Sequence, residues 1–478
     1  MQRRFVGNLI ILQSLNWLVK PLWIFGVDRL AQVQLGDVWY GQYFVIFSFG
    51  LLFNILLDFG LNNFVSAQVG ASGNPHEARS LLKLRLGLAL LYTAMVMGLG
   101  LWQKFDPWLL ALAAGNQILA GFVLFYRAVL QGRHHFKTDS IISVTDRLVA
   151  ILVCAFLLFG SGFKGYQGVL IFLGAQTVGY LCALLLSVWL AFRRAPILES
   201  HTSTGFSDLW KQTQWFALLA FAMSFFTRID ALFIKNLSAG GYAEAGLYAQ
   251  SFRLLDAALI FSALISSMLL PLFSGMAARK ESTDSLIWTN FRIVMLAAIP
   301  AAVCALFFGQ DILQLLYKDT YANEAELVKS AAIFTPLILS FIPMSFIHIF
   351  GTWLTANKQV KYLASSALIL LVINAAGNYM LVPAHGALGA AWVCLITQSL
   401  YAAICLWKSF ANKAFEFKTQ RVIQVFTVLA IMLSSGFILR DLVHGFYAII
   451  AVAICLPISL WISGIFKAEI QSFFTKKN

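Results

Sequence analysis

Polar residues set inside long apolar runs are where this chain could do chemistry. Gln13, Asn16, Trp17 and Lys20 fall at i, i+3, i+4 and i+7, one face of a helix. A lysine at the centre of a membrane span costs roughly 2.5–3.5 kcal/mol on insertion scales, so something must offset it. Asn54, Asp58 and Asn62 share a second face. Ser224, Thr227 and Arg228 mark a third, with Asp230 just beyond, and Arg253 and Asp256 stand three apart. Ser345, His348, Thr352 and Thr355 form a further stripe, and Asn374 and Asn378 a short one. The stripes concentrate in the first, second, seventh and eighth apolar runs. A wet cavity lined by those helices accounts for them, because lipid leaves polar groups unsatisfied.

The charges in that cavity are mainly cationic. Asp256 neutralises Arg253 in part, and Asp230, two residues from Arg228, points elsewhere on a helix. Lys20 and Arg228 have no local partner in sequence. Lys20, Arg228 and Arg253 together suit an anionic substrate, and arginine suits phosphate through its bidentate donors. Asp58, Asp230 and Asp256 are candidates for carrying a coupling ion. Each has a structural alternative: Lys20 snorkels outward, Arg228 joins an interhelical pair, Arg253 with Asp256 is a plain ion pair, Asp58 anchors a helix end, and His348 packs.

The elements that must position these residues follow from composition. The 478 residues are 60% hydrophobic and 12% charged, against about 25% charged in soluble domains, which points to an all-α polytopic membrane protein. The apolar runs supply about 14 helices. Spans are expected near 8–27, 40–61, 86–103, 108–126, 141–160, 168–192, 214–234, 246–272, 293–309, 331–355, 362–382, 387–407, 422–439 and 443–466. With the N-terminus inside, 23 of the 34 Lys and Arg fall on the inner side and seven on the outer. That bias supports the count, places both termini in the cytoplasm, and explains the net charge of +13 without nucleic acid. The six cysteines lie in apolar runs, and Walker, dinucleotide-binding and HExxH motifs are missing, so no metal, cofactor or enzyme chemistry is expected.

A repeat divides the chain. Gly41-Gln-Tyr43 opens the second span and Gly246-Leu-Tyr248 the eighth, while Gly165-Tyr-Gln-Gly168 and Gly386-Ala-Leu-Gly389 open the sixth and twelfth. Two parallel six-helix bundles explain this: residues 1–192, then a polar cytoplasmic linker at 193–213, then 214–409, with two extra helices in 410–478.

The stretch "DRLAQVQLGDVWYGQYFVIFSFGLLFNILLDFGLNNF" (28–64) resembles the signature of polysaccharide flippases, as do "TRIDALFIKNL" and "AGLYAQSFRLLD" (227–256), "LQGRHHFKTDS" (130–140) and "LVPAHGALGAAW" (381–392). The resemblance, to the Wzx-like branch of the multidrug/oligosaccharidyl-lipid/polysaccharide exporter superfamily, covers essentially the whole chain. It implies two six-helix bundles around a central cavity, working by alternating access in the bacterial inner membrane. The implied substrate is an undecaprenyl-diphosphate-linked oligosaccharide, a repeat unit of O-antigen, capsule or exopolysaccharide, moved from the inner to the outer leaflet. Lys20, Arg228 and Arg253 would hold the diphosphate, and Gln13, Asn16 and Trp17 the sugars. Membrane lipid, glycosyltransferases and a glycan polymerase would be partners, and the chain would act as a monomer. Alternatives are a lipid II flippase and a cation-coupled multidrug exporter of the same superfamily. A membrane glycan polymerase or ligase fits less well, since no outer loop is long enough for a catalytic domain.

Overall fold

The structure is a computed structural model and describes residues 16, 18–72, 78–133, 135–160, 164–193, 206–318, 320–321, 323–416, 418–443 and 445–464. All regular structure among them is helical. Lipid requires this, since a helix satisfies its own backbone hydrogen bonds. A π-helical turn, α1 (Leu22–Asp28), runs into α2 (Arg29–Leu52). Gly36, at φ 69°, breaks that helix between the first and second expected spans. Helices α3 (Ile55–Asp58) and α4 (Leu61–Ser72) continue from it. Then come α5 (Ala78–Trp102), α6 (Pro107–Gly132), α7 (Phe136–Gly160) and α8 (Gly165–Phe192).

The second half opens with α9 (Phe206–Arg228) and α10 (Asp230–Leu237), one span bent by 41°. Helices α11 (Tyr242–Arg279) and α12 (Asp284–Tyr317) are long. Next, α13 (Glu324–Leu339), α14 (Phe341–Phe346), a π-helical turn Ile347–Gly351 and α15 (Thr352–Ala356) make one apolar rod. Helix α16 (Val360–Ala411) holds two expected spans, parted at Gly386 with φ 55° and ψ −135°. Helices α17 (Thr419–Leu439) and α18 (Phe446–Ser463) follow. The second to fourteenth expected spans fall on these helices, most on a single one; the second is broken over α2 and α3, the seventh over α9 and α10, and the tenth over the segments from α13 to α15. Among the described residues nine helices are long and apolar enough to cross a membrane, or ten with the bent pair. Most of the first expected span lies outside the described residues.

Contacts divide the chain into two compact units. One takes residues 1–250 and 360–390, the other 251–359 and 391–478. In the first, α6 packs on α8, α4 and α2. Its start is fixed by Asp106, whose carboxylate accepts from the Trp108 and Leu109 amides at 3.0 and 2.9 Å, and by Pro107 at the first helical position. Phe125, Val129, Leu130, Ile142, Leu61 and Val65 are buried together there.

In the second unit α12 is the central post for α13, α17 and α18. Gly436 lets α17 press onto it: a Cβ would come 2.7 Å from Val303 Cγ1. Carboxylates of α12 pin the starts of α17 and α18. Asp284 takes a bidentate pair from Arg421, 2.7 Å on each side, and Asp311 accepts from the Gly445 amide at 2.8 Å.

Candidate functional site

The first polar stripe packs in register on α7. Asn16 Nδ2 donates to Ser143 Oγ at 3.2 Å. One turn on, Lys20 lies within electrostatic reach of Arg147 and Asp146 on α7 and of Arg127 on α6. The pairs 16–143 and 20–147 keep the same offset, as two parallel helices with facing i, i+4 residues must. Arg127 is neutralised by Asp139, with Nε 2.6 Å from Oδ1, and Gln131 also donates to that carboxylate at 3.0 Å. The half-buried Lys20 therefore sits among cations, in an environment suited to an anion. Gln13 and Trp17 lie outside the described residues.

Asp58 is accounted for locally. It accepts from the Asn62 amide at 3.1 Å, capping α4, and lies 3.6 Å from Arg85 Nη1. Arg85 is 1% exposed, donates to the Gly121 carbonyl, and is flanked by the rings of Phe122 and Phe125 at 5.6 and 5.5 Å. Its guanidinium is thus held inside the bundle rather than in water.

Asp230 occupies a different setting. It is 1% exposed and opens α10 just past the 41° bend. Tyr248 donates to Oδ2 at 2.9 Å and Asn378 to Oδ1 at 2.8 Å, while Asn374 Oδ1 accepts from Asn378 at 3.1 Å. The fold thus joins two stripes that the sequence leaves separate. A buried carboxylate loses hydration, and these neutral donors replace part of it. Arg228 closes α9 and is half-buried.

The repeated glycine motifs meet. A Cβ on Gly41 would collide with the Tyr242 carbonyl and lie 2.8 Å from the Gly246 nitrogen; one on Gly246 would collide with the Asp37 carbonyl and lie 2.7 Å from the Asp37 Cα. The start of α11 and the second half of α2 therefore cross backbone to backbone. Gln250 donates to Asp37 at 2.8 Å beside this crossing. At the same end Lys235 Nζ donates to the Gln103 carbonyl at 2.8 Å, and Asn236 to Gln103 Oε1 at 3.1 Å. Glu244 accepts from the Ala387 amide at 3.1 Å and so caps the helix restarting after Gly386. At this end the helices of the first unit pack tightly.

In the second unit Arg253 is 9% exposed and pairs with Asp256 at 3.4 Å. His348 sits on the π-helical turn, with Nδ1 2.7 Å from Ser262 Oγ, and its carbonyl accepts from Ser266 and Thr352 at 3.0 and 2.6 Å. That network makes the stripe a packing seam between α11 and the 347–351 turn.

The family described as "Lipid II flippase MurJ" matches residues 108–458. Curated relatives named "Lipid III flippase", from Escherichia coli (strain K12) and Shigella flexneri, are 23% identical over 252 residues. The match takes in 51% of this chain and spans 58% of the length of those relatives. Among solved structures, "Lipid II flippase MurJ, inward closed conformation" superposes with a TM-score of 0.70 at 14% identity, covering 96% of this chain and 99% of the other. An outward-facing multidrug resistance MATE family transporter of the MOP superfamily gives 0.62 at 14% identity, covering 86% and 96%. At such identities these two structures speak for the fold.

Proposed function

Since this chain belongs to the lipid II flippase MurJ family, whose members are membrane transporters and not enzymes, we propose that it flips a peptidoglycan-type, polyprenyl-diphosphate-linked precursor across the bacterial inner membrane. The family match over residues 108–458 carries this reading. It favours a lipid II-like substrate over the O-antigen, capsule or exopolysaccharide units that the Wzx-like resemblance implies. The likeness to proteins named lipid III flippase also supports a lipid-linked glycan.

The diphosphate is held by membrane-embedded cations of the first unit, Lys20 and Arg228. Asp256 accounts for Arg253 as an ion pair within its helix. Asn16 and its neighbours on the same face meet the sugars. Both termini are cytoplasmic, and two six-helix bundles, 1–192 and 214–409, alternate between inner and outer access. The Gly41–Gly246 crossing is the outer closure, which must part for release. A membrane potential negative inside favours the departing anion by about 2.3 kcal/mol per charge per 100 mV. Asp230 is the residue best placed to couple a proton or cation to the return step.

The test is reconstitution of the full chain in vesicles carrying fluorescent lipid II in one sample and an undecaprenyl-diphosphate-linked O-antigen unit in another, scoring exposure to an outside reagent. Flipping of lipid II that falls at least tenfold in Lys20→Ala and in Arg228→Ala is expected. Transport of only the O-antigen unit would return the chain to the Wzx-like reading. Undiminished flipping in both variants would remove the cationic site.

A further inference from the structure

The π-helical turn α1 packs one extra residue into a helical turn and so re-aims its side chains, a feature frequent at functional sites. Trp23 lies flat on Phe172 of α8, with ring centroids 5.8 Å apart and 10° between planes. One face of the indole is thereby fixed. The Arg147 guanidinium stands 5.0 Å from the Trp23 ring. It is also 5.6 Å from the Tyr180 ring, and its Nη2 donates to the Tyr180 hydroxyl at 3.1 Å. Asp146 lies 3.6 Å from Nε. Lys20 is the neighbouring cation, one turn before Trp23.

We propose that Arg147, held between Trp23 and Tyr180, is a diphosphate-binding group for the transported lipid and forms one anion site with Lys20. The proposal rests on the lipid-linked diphosphate reading above. Three observations carry it. Arg147 keeps 24% side-chain exposure, whereas Arg85, which serves the bundle interior, keeps 1%. Arg147 is one of the charged groups within electrostatic reach of Lys20, so the two cations can act on one compact anion. The Trp23 and Tyr180 rings flank the guanidinium at 5.0 and 5.6 Å, which restricts its motion and pre-orders the donors left for phosphate oxygens. Lysine at this position would keep the charge and lose the fork.

The experiment titrates the purified full chain in detergent with undecaprenyl diphosphate and, separately, with undecaprenol, which has the same tail and no phosphate. The wild-type chain is expected to prefer the diphosphate. Arg147→Lys should weaken diphosphate binding about tenfold and Arg147→Gln by about 10- to 100-fold, from loss of charge-assisted bonds. Undecaprenol binding should stay unchanged in both. Wild-type diphosphate affinity in both variants overturns the Arg147 assignment and leaves the transport reading standing. Equal loss of both ligands in both variants also overturns it, in favour of a structural arginine. A wild-type chain that does not distinguish diphosphate from undecaprenol overturns this inference and the transport reading together.

Discussion

Gly246→Ala should force apart the α2–α11 crossing in the first unit. The new Cβ would lie 2.7 Å from both the carbonyl carbon and the Cα of Asp37. Ordinary carbon contacts lie at about 3.5–4.0 Å. No flexible side-chain tip can swing aside, because the obstacle is the α2 backbone, so the helices must part by about 1 Å at the crossing. Overpacking costs about 1–3 kcal/mol, and a backbone obstacle puts this case near 3. That is about a 100-fold shift between closed and parted forms. The bond from Gln250 to Asp37 strains with the same displacement. In a background without native cysteines, Gln103→Cys with Asn236→Cys reports closure, since those side chains are 3.1 Å apart. Adding Gly246→Ala should cut disulfide yield sharply and slow flipping. Gly115→Ala is the control, because a Cβ there meets nothing within 4 Å. Disulfide yield and flipping rate equal to the parent in Gly246→Ala would refute the reasoning.

Asp230→Asn should preserve folding, because its neutral partners tolerate an amide, yet lose any response of flipping to an imposed proton or sodium gradient; a gradient response equal to wild type in vesicles rules out Asp230. Arg85→Ala should lower stability by about 3 kcal/mol, read as the thermal midpoint in detergent, since it empties a site lined by Phe122, Phe125 and the Gly121 carbonyl. Asp58 is 38% exposed, so its share of that loss is small. The Asp284–Arg421 pair should give a coupling of about 1 kcal/mol in a double-mutant cycle, weakening at high salt.

Hydropathy made the spans legible, because lipid leaves helices as the way to satisfy the backbone, and apolar length then fixes their number. The glycine repeat was also legible, and the structure adds what it is for: the two motifs occupy one crossing. What sequence could not supply was pairing between helices far apart in the chain. Lys20 had no local partner, and its neighbours Arg127 and Arg147 lie more than a hundred residues away. Asp230 and Asn378 were separate marks until the fold placed them 2.8 Å apart. The burial of Arg85 was not legible, because a cation at a span boundary reads the same whether it points to water or inward. The π-helical turn at Leu22–Asp28 left no sign beyond Pro21 before it.

The carboxylates at the two ends of α12 bear on how the C-terminal helices join during synthesis. Inside a bilayer, apolar helices gain little by leaving lipid for one another, so α17 and α18 can insert without docking. The notch at Gly436 supplies close packing only once they arrive. Asp284 and Asp311 differ, because their partners, Arg421 and the Gly445 amide, exist only after the last segments have emerged from the ribosome. Docking is thereby tied to synthesis of the stretch that begins α17 and α18. A ribosome stalled before residue 421 would leave Asp284 without its bidentate arginine and Asp311 without the Gly445 amide, a state that a membrane quality-control protease could recognise.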